Sequence, residues 1–171
     1  MAQRVGKYKV SKKESSLSFA GGRGDRIARG LKRPVVALTD AAGAGAIRSA
    51  LTTAESGTIF LVPELTSGTQ TIALPAPEVG LTYTFITVDT ADQIFNVETD
   101  ASDTKILAVK PKGDGDNTAI SQGYDLIGFK AAAVLGSMFT CTCISTTAAT
   151  AWMAHDVIDG LAANVGSINL A

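Results

Sequence analysis

Short apolar runs separated by turn-forming residues dominate the chain from Gly57 onward. In residues 81–88, Leu, Tyr, Phe and Thr occupy the odd-numbered positions, and Thr, Thr, Ile and Val occupy the even-numbered ones. Because successive side chains of a strand point to opposite faces, this run predicts a strand with Tyr83 and Phe85 on one face and Thr84 and Ile86 on the other.

Comparable runs predict further strands, each bounded by Gly, Pro, Asn or Asp. They lie within residues 35–38, 58–65, 68–77, 93–99, 104–111, 125–136, 137–145 and 150–157. One or two helical turns are predicted within residues 47–54. Short strands at intervals of about 8–12 residues are typical of sandwiches and barrels. We therefore predict a mainly β fold, an antiparallel β-sandwich or barrel of jelly-roll-like architecture with an extended basic N-terminal arm.

Two prolines, Pro75 and Pro77, interrupt the pattern between two predicted strands. Proline cannot donate a hydrogen bond to a strand ladder and holds the chain extended, whereas Gly80 permits a turn. The segment therefore predicts a strand, a stiff connector and a second strand that returns beside the first.

Composition divides the chain into four parts. The predicted parts are an extended basic arm (1–33), a connecting segment (34–56), the β-domain (57–159) and a tail that is available to a neighbouring copy (160–171). No window of about 18 strongly apolar residues occurs, and no apolar stretch follows the basic N-terminus. We therefore expect neither a membrane span nor a secretory signal.

Charge is segregated along the chain. Residues 1–33 hold ten Lys or Arg residues and two acids, a net charge of +8, whereas residues 34–171 hold five bases and fourteen acids, a net charge of −9. Such asymmetry predicts that the arm binds an acidic partner. The residues predicted to make this contact are Arg4, Lys7, Tyr8, Lys9, Lys12, Lys13, Phe19, Arg23, Arg26, Arg29, Lys32 and Arg33.

An acidic protein surface is the partner that the arm favours, including the surface of a neighbouring copy. Nucleic acid and a purely solvated arm are the alternatives, and nucleic acid is disfavoured because Tyr8 and Phe19 are the only arm side chains able to stack on bases. Glycines within residues 21–30 disfavour a membrane-bound helix.

The cysteines and the histidine do not form a pattern typical of a metal site or a catalyst. Cys141 and Cys143 share one face of a predicted strand, about 6–7 Å apart, which predicts two packed free thiols. His155 and Asp156 are neighbours on a predicted strand and are expected to point to opposite faces, so they should not pair. We expect no cofactor, no metal and no enzymatic activity.

An acidic turn is predicted at residues 112–117. Asp114, Asp116 and Asn117 place oxygen ligands close together, but the closing glutamate of a calcium-binding loop is missing. The turn is interpreted as a surface loop, with a bound cation as the alternative.

Three features of residues 57–157 resemble a β-module of tailed-phage virion proteins, including head decoration (cement) proteins. They are Thr-Ile-x-Leu-Pro-x-Pro at 71–77, Gly-Leu-x-Tyr-x-Phe at 80–85, and a terminal strand with Trp152. The resemblance implies a structural virion protein without catalysis on the capsid exterior, made in the host cytoplasm. Its implied partners are the major capsid protein and copies of itself, with a trimer favoured.

A receptor- or carbohydrate-binding module of a phage fibre or baseplate is the alternative function. Such a site needs exposed aromatic side chains, and the candidates are Tyr83, Phe95, Tyr124 and Trp152. Trp152 itself is predicted to pack in the core.

Overall fold

The computed structural model describes residues 33–89, 92–100, 104–108, 123–131, 133–158 and 168–170. By its contact pattern, the part of the chain from Pro34 onward is a unit separate from residues 1–33. The predicted arm residues before Arg33 and the acidic turn at 112–117 lie outside the described residues.

Eleven strands occur within the described residues, and nine of them coincide with the predicted runs, whereas Gly45–Ala46 and Ile168–Leu170 lie in the predicted connecting segment and tail. They are β1 (Val35–Ala37), β2 (Gly45–Ala46), β3 (Ile59–Val62), β4 (Gln70–Ala73), β5 (Thr82–Thr87), β6 (Phe95–Glu98), β7 (Ile106–Ala108), β8 (Leu126–Phe129), β9 (Met138–Cys143), β10 (Trp152–Ile158) and β11 (Ile168–Leu170). Single 3-10 turns form at Thr53–Glu55 and Ala148–Thr150.

The described strands form two sheets. Sheet A has the order β1-β3-β5-β9-β10-β7, and sheet B has the order β11-β8-β6-β4-β2. The predicted mainly β class is confirmed, and the architecture is a sandwich with a shared core. Pairing within the sheets is mixed rather than purely antiparallel, with five parallel and four antiparallel pairs.

The first six strands alternate between the two sheets. Val35 pairs with Ile59, and Ile59 pairs with Thr84, at intervals of 24 and 25 residues. The pairs that link β2, β4 and β6 in sheet B have the interval of 25 residues as well. The stretch from β1 to β6 is therefore a two-sheet β-solenoid of three coils, to which residues 34–56 contribute β1 and β2.

The proline-containing segment connects two sheets and does not form a hairpin. β4 belongs to sheet B and β5 to sheet A, so the prediction that the second strand returns beside the first is wrong. The Leu74 N–H donates to the Glu98 carbonyl at 2.8 Å, and the Gly80 N–H donates to the Cys143 carbonyl at 2.9 Å. The connector is thus anchored to sheet B at one end and to sheet A at the other.

Four phenyl rings hold the two sheets together in a closed circuit. Phe85 and Phe139 of sheet A lie 5.3 Å apart between ring centroids, and Phe95 and Phe129 of sheet B lie 6.2 Å apart. Across the sheets, Phe85 contacts Phe95 at 5.9 Å and Phe139 contacts Phe129 at 4.9 Å. Each such pair contributes about 0.5–1.5 kcal/mol beyond the burial of its area.

Trp152 and the two cysteines lie in the same core, as predicted. The Trp152 ring lies 6.0 Å from that of Tyr83, and both side chains are fully buried. Cys141 and Cys143 are free and buried, and burial raises the pKa of both thiols. These thiols are therefore packing groups held in the protonated, unreactive form.

Glycine at position 128 is required by the close approach of β6 to β8. A Cβ atom at Gly128 would lie 2.0 Å from the Phe95 carbonyl oxygen. We expect Gly128→Ala to lower the free energy of unfolding by about 1–3 kcal/mol or more, because the backbone of β6 must shift. Urea unfolding measures the change.

Gly43 supplies the matched control, because a Cβ atom there meets nothing within 4 Å. Gly43→Ala should change the unfolding midpoint little. Equal midpoints for the two variants would contradict the tight packing of β6 on β8.

Candidate assembly surfaces

The face of sheet A that points away from the core carries, among the described strands, one formally charged side chain, that of Asp156, which pairs with His155. We call it the outer face. Its members alternate with buried core residues along the strands of sheet A. They are Val35, Ala37, Ile59, Leu61, Thr82, Thr84, Ile86, Leu107, Met138, Thr140, Thr142, Met153, His155 and Ile158.

Threonine hydroxyls at the centre of the outer face bind one another. Thr84 and Thr140 lie opposite each other on β5 and β9, with their hydroxyl oxygens 2.9 Å apart. Thr82 and Thr142 form the next pair, at 3.1 Å. Because these hydroxyls act as partners to each other, the centre of the face behaves as a weakly polar surface.

His155 and Asp156 pair with each other, so the prediction that they cannot is wrong. The His155 Nδ1 atom lies 3.0 Å from Asp156 Oδ2, and His155 Nε2 lies 2.8 Å from the Thr142 hydroxyl. The cause is the backbone of Asp156, whose φ of +53° coincides with a register shift between β9 and β10. This irregularity turns the carboxylate toward the ring of the preceding residue.

The chain of Thr142, His155 and Asp156 has the order of groups found in hydrolytic triads, but its surroundings differ. Thr142 lies inside β9, which pairs with β5 on one side and with β10 on the other. The backbone N–H groups beside the hydroxyl therefore belong to the ladders, and none is aimed at a developing oxyanion as acyl transfer needs. We interpret these three hydrogen-bonded residues as a structural link between β9 and β10 where their pairing is irregular.

β1 forms an open edge of sheet A among the described strands. The Pro34 carbonyl accepts from the Ile59 N–H, and the Leu38 N–H donates to the Leu61 carbonyl, each at 2.9 Å. Along a strand, the backbone N–H and C=O groups of successive residues point alternately to its two sides. The groups of Val35 and Ala37 therefore point away from β3. β1 is exposed throughout its length.

Asp40 ties the bend after β1 to the next coil. Its carboxylate accepts from the Thr66 hydroxyl, the Thr66 N–H, the Gln70 amide and the Ala42 N–H. These hydrogen bonds, that of the Thr66 hydroxyl foremost, hold the pKa of the Asp40 carboxyl well below its usual range. The open edge is thus attached to the rest of the solenoid by a charged hydrogen-bond cluster.

Acidic residues recur at the bends where the chain passes from sheet A to sheet B. Asp40 follows β1, Glu64 follows β3, and Asp89 and Asp92 follow β5, whereas residues 38–44, 63–69 and 88–94 contain no Lys or Arg. This side of the solenoid is therefore negatively charged. The charge on this side is opposite to that of the arm.

The structure places the predicted binding residues unevenly. Of the predicted arm residues, Arg33 alone lies among the described residues, where it is exposed just before β1. Among the aromatic candidates for a carbohydrate site, Tyr83, Phe95 and Trp152 are fully buried. Tyr124 is half-buried and packs against the core, so it alone keeps some exposed surface.

Two searches over the described residues gave negative results. No group of three or more His, Cys, Asp or Glu side chains close enough to hold a metal ion occurs there. Nor does any helix in that part of the chain have the length and apolar character that crossing a membrane requires.

The outer face and the open edge are features that the sequence prediction missed. A usable signal exists: Asp40, Glu64 and Asp89 each follow an apolar run, at intervals of 24 and 25 residues. These intervals equal the coil length, so a search for internal repeats would have indicated the solenoid.

Acid should weaken the tie at Asp40. Because its folded-state pKa lies below the unfolded value, the carboxylate stabilises the fold at neutral pH, and this contribution is lost as pH falls below the ordinary aspartate range. Asp40→Asn should lower the urea unfolding midpoint at pH 7, and its difference from the wild type should shrink toward pH 3. The exposed Asp92 provides the control variant, Asp92→Asn. A gap for Asp40→Asn that stays constant with pH would contradict the assignment.

The sequence was also compared with known proteins. No protein-family model matches this chain, and no match was found among curated proteins.

Proposed function

We propose that the chain is a structural virion protein of a tailed phage, a capsid decoration (cement) protein that binds the outer surface of the head and stabilises capsomer contacts. The observation that carries this proposal is the outer face of sheet A, whose six strands carry a single formally charged side chain there, that of Asp156, which pairs with His155. The resemblance of residues 57–157 to phage virion modules is consistent with it.

The size of the outer face supports a role in assembly. Six strands about 4.8 Å apart and about five residues long have a footprint on the order of 400 Å², within which the central Thr84 and Thr140 are buried, with 2% and 5% exposed. Contiguous apolar patches beyond a few hundred Å² on soluble monomers commonly mark interaction sites. A stable interface needs about 800 Å² per partner, so the outer face supplies about half and a second contact must add to it.

The basic arm is the natural source of that second contact. Its net charge of +8 guides it to acidic protein surface, but exposed ion pairs contribute only about 0–1 kcal/mol each. Apolar arm side chains such as Val5, Tyr8, Val10 and Phe19 must therefore be buried on contact. In a closed lattice of many copies, several weak contacts act at high effective concentration and together give firm attachment.

The two competing functions have less support. A receptor- or carbohydrate-binding site would rest on Tyr124, because the other aromatic candidates lie in the core. Hydrolysis would rest on Thr142 and His155, whose surroundings offer ladder-engaged backbone groups in place of oxyanion donors. Both alternatives therefore have less support than a structural, non-catalytic role.

Charge placed on the outer face should impair binding to the head. Ile86 is half-buried on β5, and we expect Ile86→Lys to weaken binding to undecorated heads by about tenfold or more, because an unpaired ammonium group would be buried at the contact. Removing residues 1–33 should reduce occupancy at ordinary salt. Sedimentation of heads with the added protein, followed by quantification of the bound chain, measures both effects.

Val79 provides the matched control. It is 63% exposed and lies in the connector between β4 and β5, away from the outer face. Val79→Lys should leave head binding unchanged, and urea unfolding should show that both lysine variants remain folded. Equal binding by the wild type, Ile86→Lys and the shortened chain would refute the proposal.

A further inference from the structure

We infer that the open edge of β1 receives an extended segment of the basic arm, Lys7–Val10, from a second copy of this chain. The added segment would form a further strand of sheet A. The inference rests on the proposed role of the arm as a tether and deepens it, because it names the partner that the arm binds.

The edge offers a complete set of groups for strand addition. Val35 and Ala37 each direct one N–H and one C=O away from β3, so the edge presents two donors and two acceptors. An incoming backbone that pairs with all four groups forms a short ladder, as in other complexes formed by strand addition.

The edge also lacks the usual protection against pairing. Proteins commonly block edge strands with charged side chains, an irregular backbone or a covering segment. β1 contains Val, Val and Ala, and its side chains are exposed, with Val35 58% and Val36 36% accessible. Among the described residues no strand pairs with this side of β1, so the edge is open to a further strand.

The arm sequence suits such a site. In Lys7–Val10, Tyr8 and Val10 alternate with Lys7 and Lys9, so a strand would present one apolar and one cationic face. The apolar face would extend the outer face beside Val35. The cationic face would complement the negative net charge that residues 34–171 carry in the partner copy.

The chain between this segment and β1 is long enough to reach another molecule. Residues 11–34 lie between them, and a fully extended chain of that length spans about 80 Å. That distance exceeds the width of one such domain. Arms exchanged among copies would bring a charge of +8 to each body of −9, leaving every unit close to neutral.

Self-association of the full chain tests the inference without any phage head. We expect the wild type to oligomerise in sedimentation velocity experiments, more weakly as salt is raised. Ala37→Pro removes an outward N–H group and should weaken association by about threefold to tenfold, the effect of one hydrogen bond. The control Val36→Pro removes an N–H group that faces β3, so it should instead lower the urea unfolding midpoint.

Two substitutions at Val35 distinguish arm binding from nonspecific association at the edge. Val35→Lys should weaken association more than Val35→Glu, because the apolar neighbours Tyr8 and Val10 disfavour both charges, whereas the net charge of +8 on the arm is repelled by the first and attracted by the second. Equal weakening by both would show that the occupant is not the arm. Both variants keep the β1 backbone, so they remain informative if Ala37→Pro proves unstable.

Cross-linking identifies the molecule that supplies the arm. Val10→Cys and Ala37→Cys chains, whose thiols would lie on the same face of the widened sheet, are mixed under oxidising conditions, and the native thiols stay unreactive because they are buried. We expect a disulfide-linked dimer in the mixture. A disulfide that forms only within a chain carrying both cysteines would overturn the inference in favour of the chain's own arm. A wild type that stays monomeric yet binds heads would overturn it while leaving the proposed function intact.

Discussion

Contact between phenyl rings of the two sheets is the constraint on which the architecture depends. Phe85 touches Phe139 in its own sheet and Phe95 in the other, and this circuit closes through Phe129. Because the chain changes sheets after each of its first six strands, every coil delivers its large side chains to the same core. The outer face is left with aliphatic and threonine side chains, which explains why the molecule offers an assembly surface and few exposed aromatic rings.

The sequence pattern predicted most of the strands but did not predict their partners. Alternation puts Tyr83 and Phe85 on the same face of a strand, and both side chains are fully buried. The same pattern is silent on whether the next strand joins the same sheet. Pro75 and Pro77 were therefore interpreted as a return beside β4, although the connector crosses to the other sheet. Coil length, visible in the spacing of Asp40, Glu64 and Asp89, is the information that was needed.

The surfaces were harder to predict than the core, because they depend on backbone geometry. His155 and Asp156 meet because Asp156 adopts a positive φ, and no residue pattern near it states that the strand is irregular there. The edge at β1 likewise follows from the order of strands in sheet A. The basic arm was the reverse case: its charge is evident from composition, yet composition does not say which surface it binds.

The open edge and the outer face belong to one sheet, and this makes the two proposed contacts dependent on each other. Val35 and Ala37 contribute their backbones to the edge and their side chains to the face. A strand added at β1 would widen sheet A by about 4.8 Å and extend the face in the same step. Under this proposal, docking of the face would be stronger for a molecule that already holds a neighbour's arm. Free molecules, with only the smaller face, would bind weakly and reversibly, whereas molecules joined by their arms would bind together and remain attached.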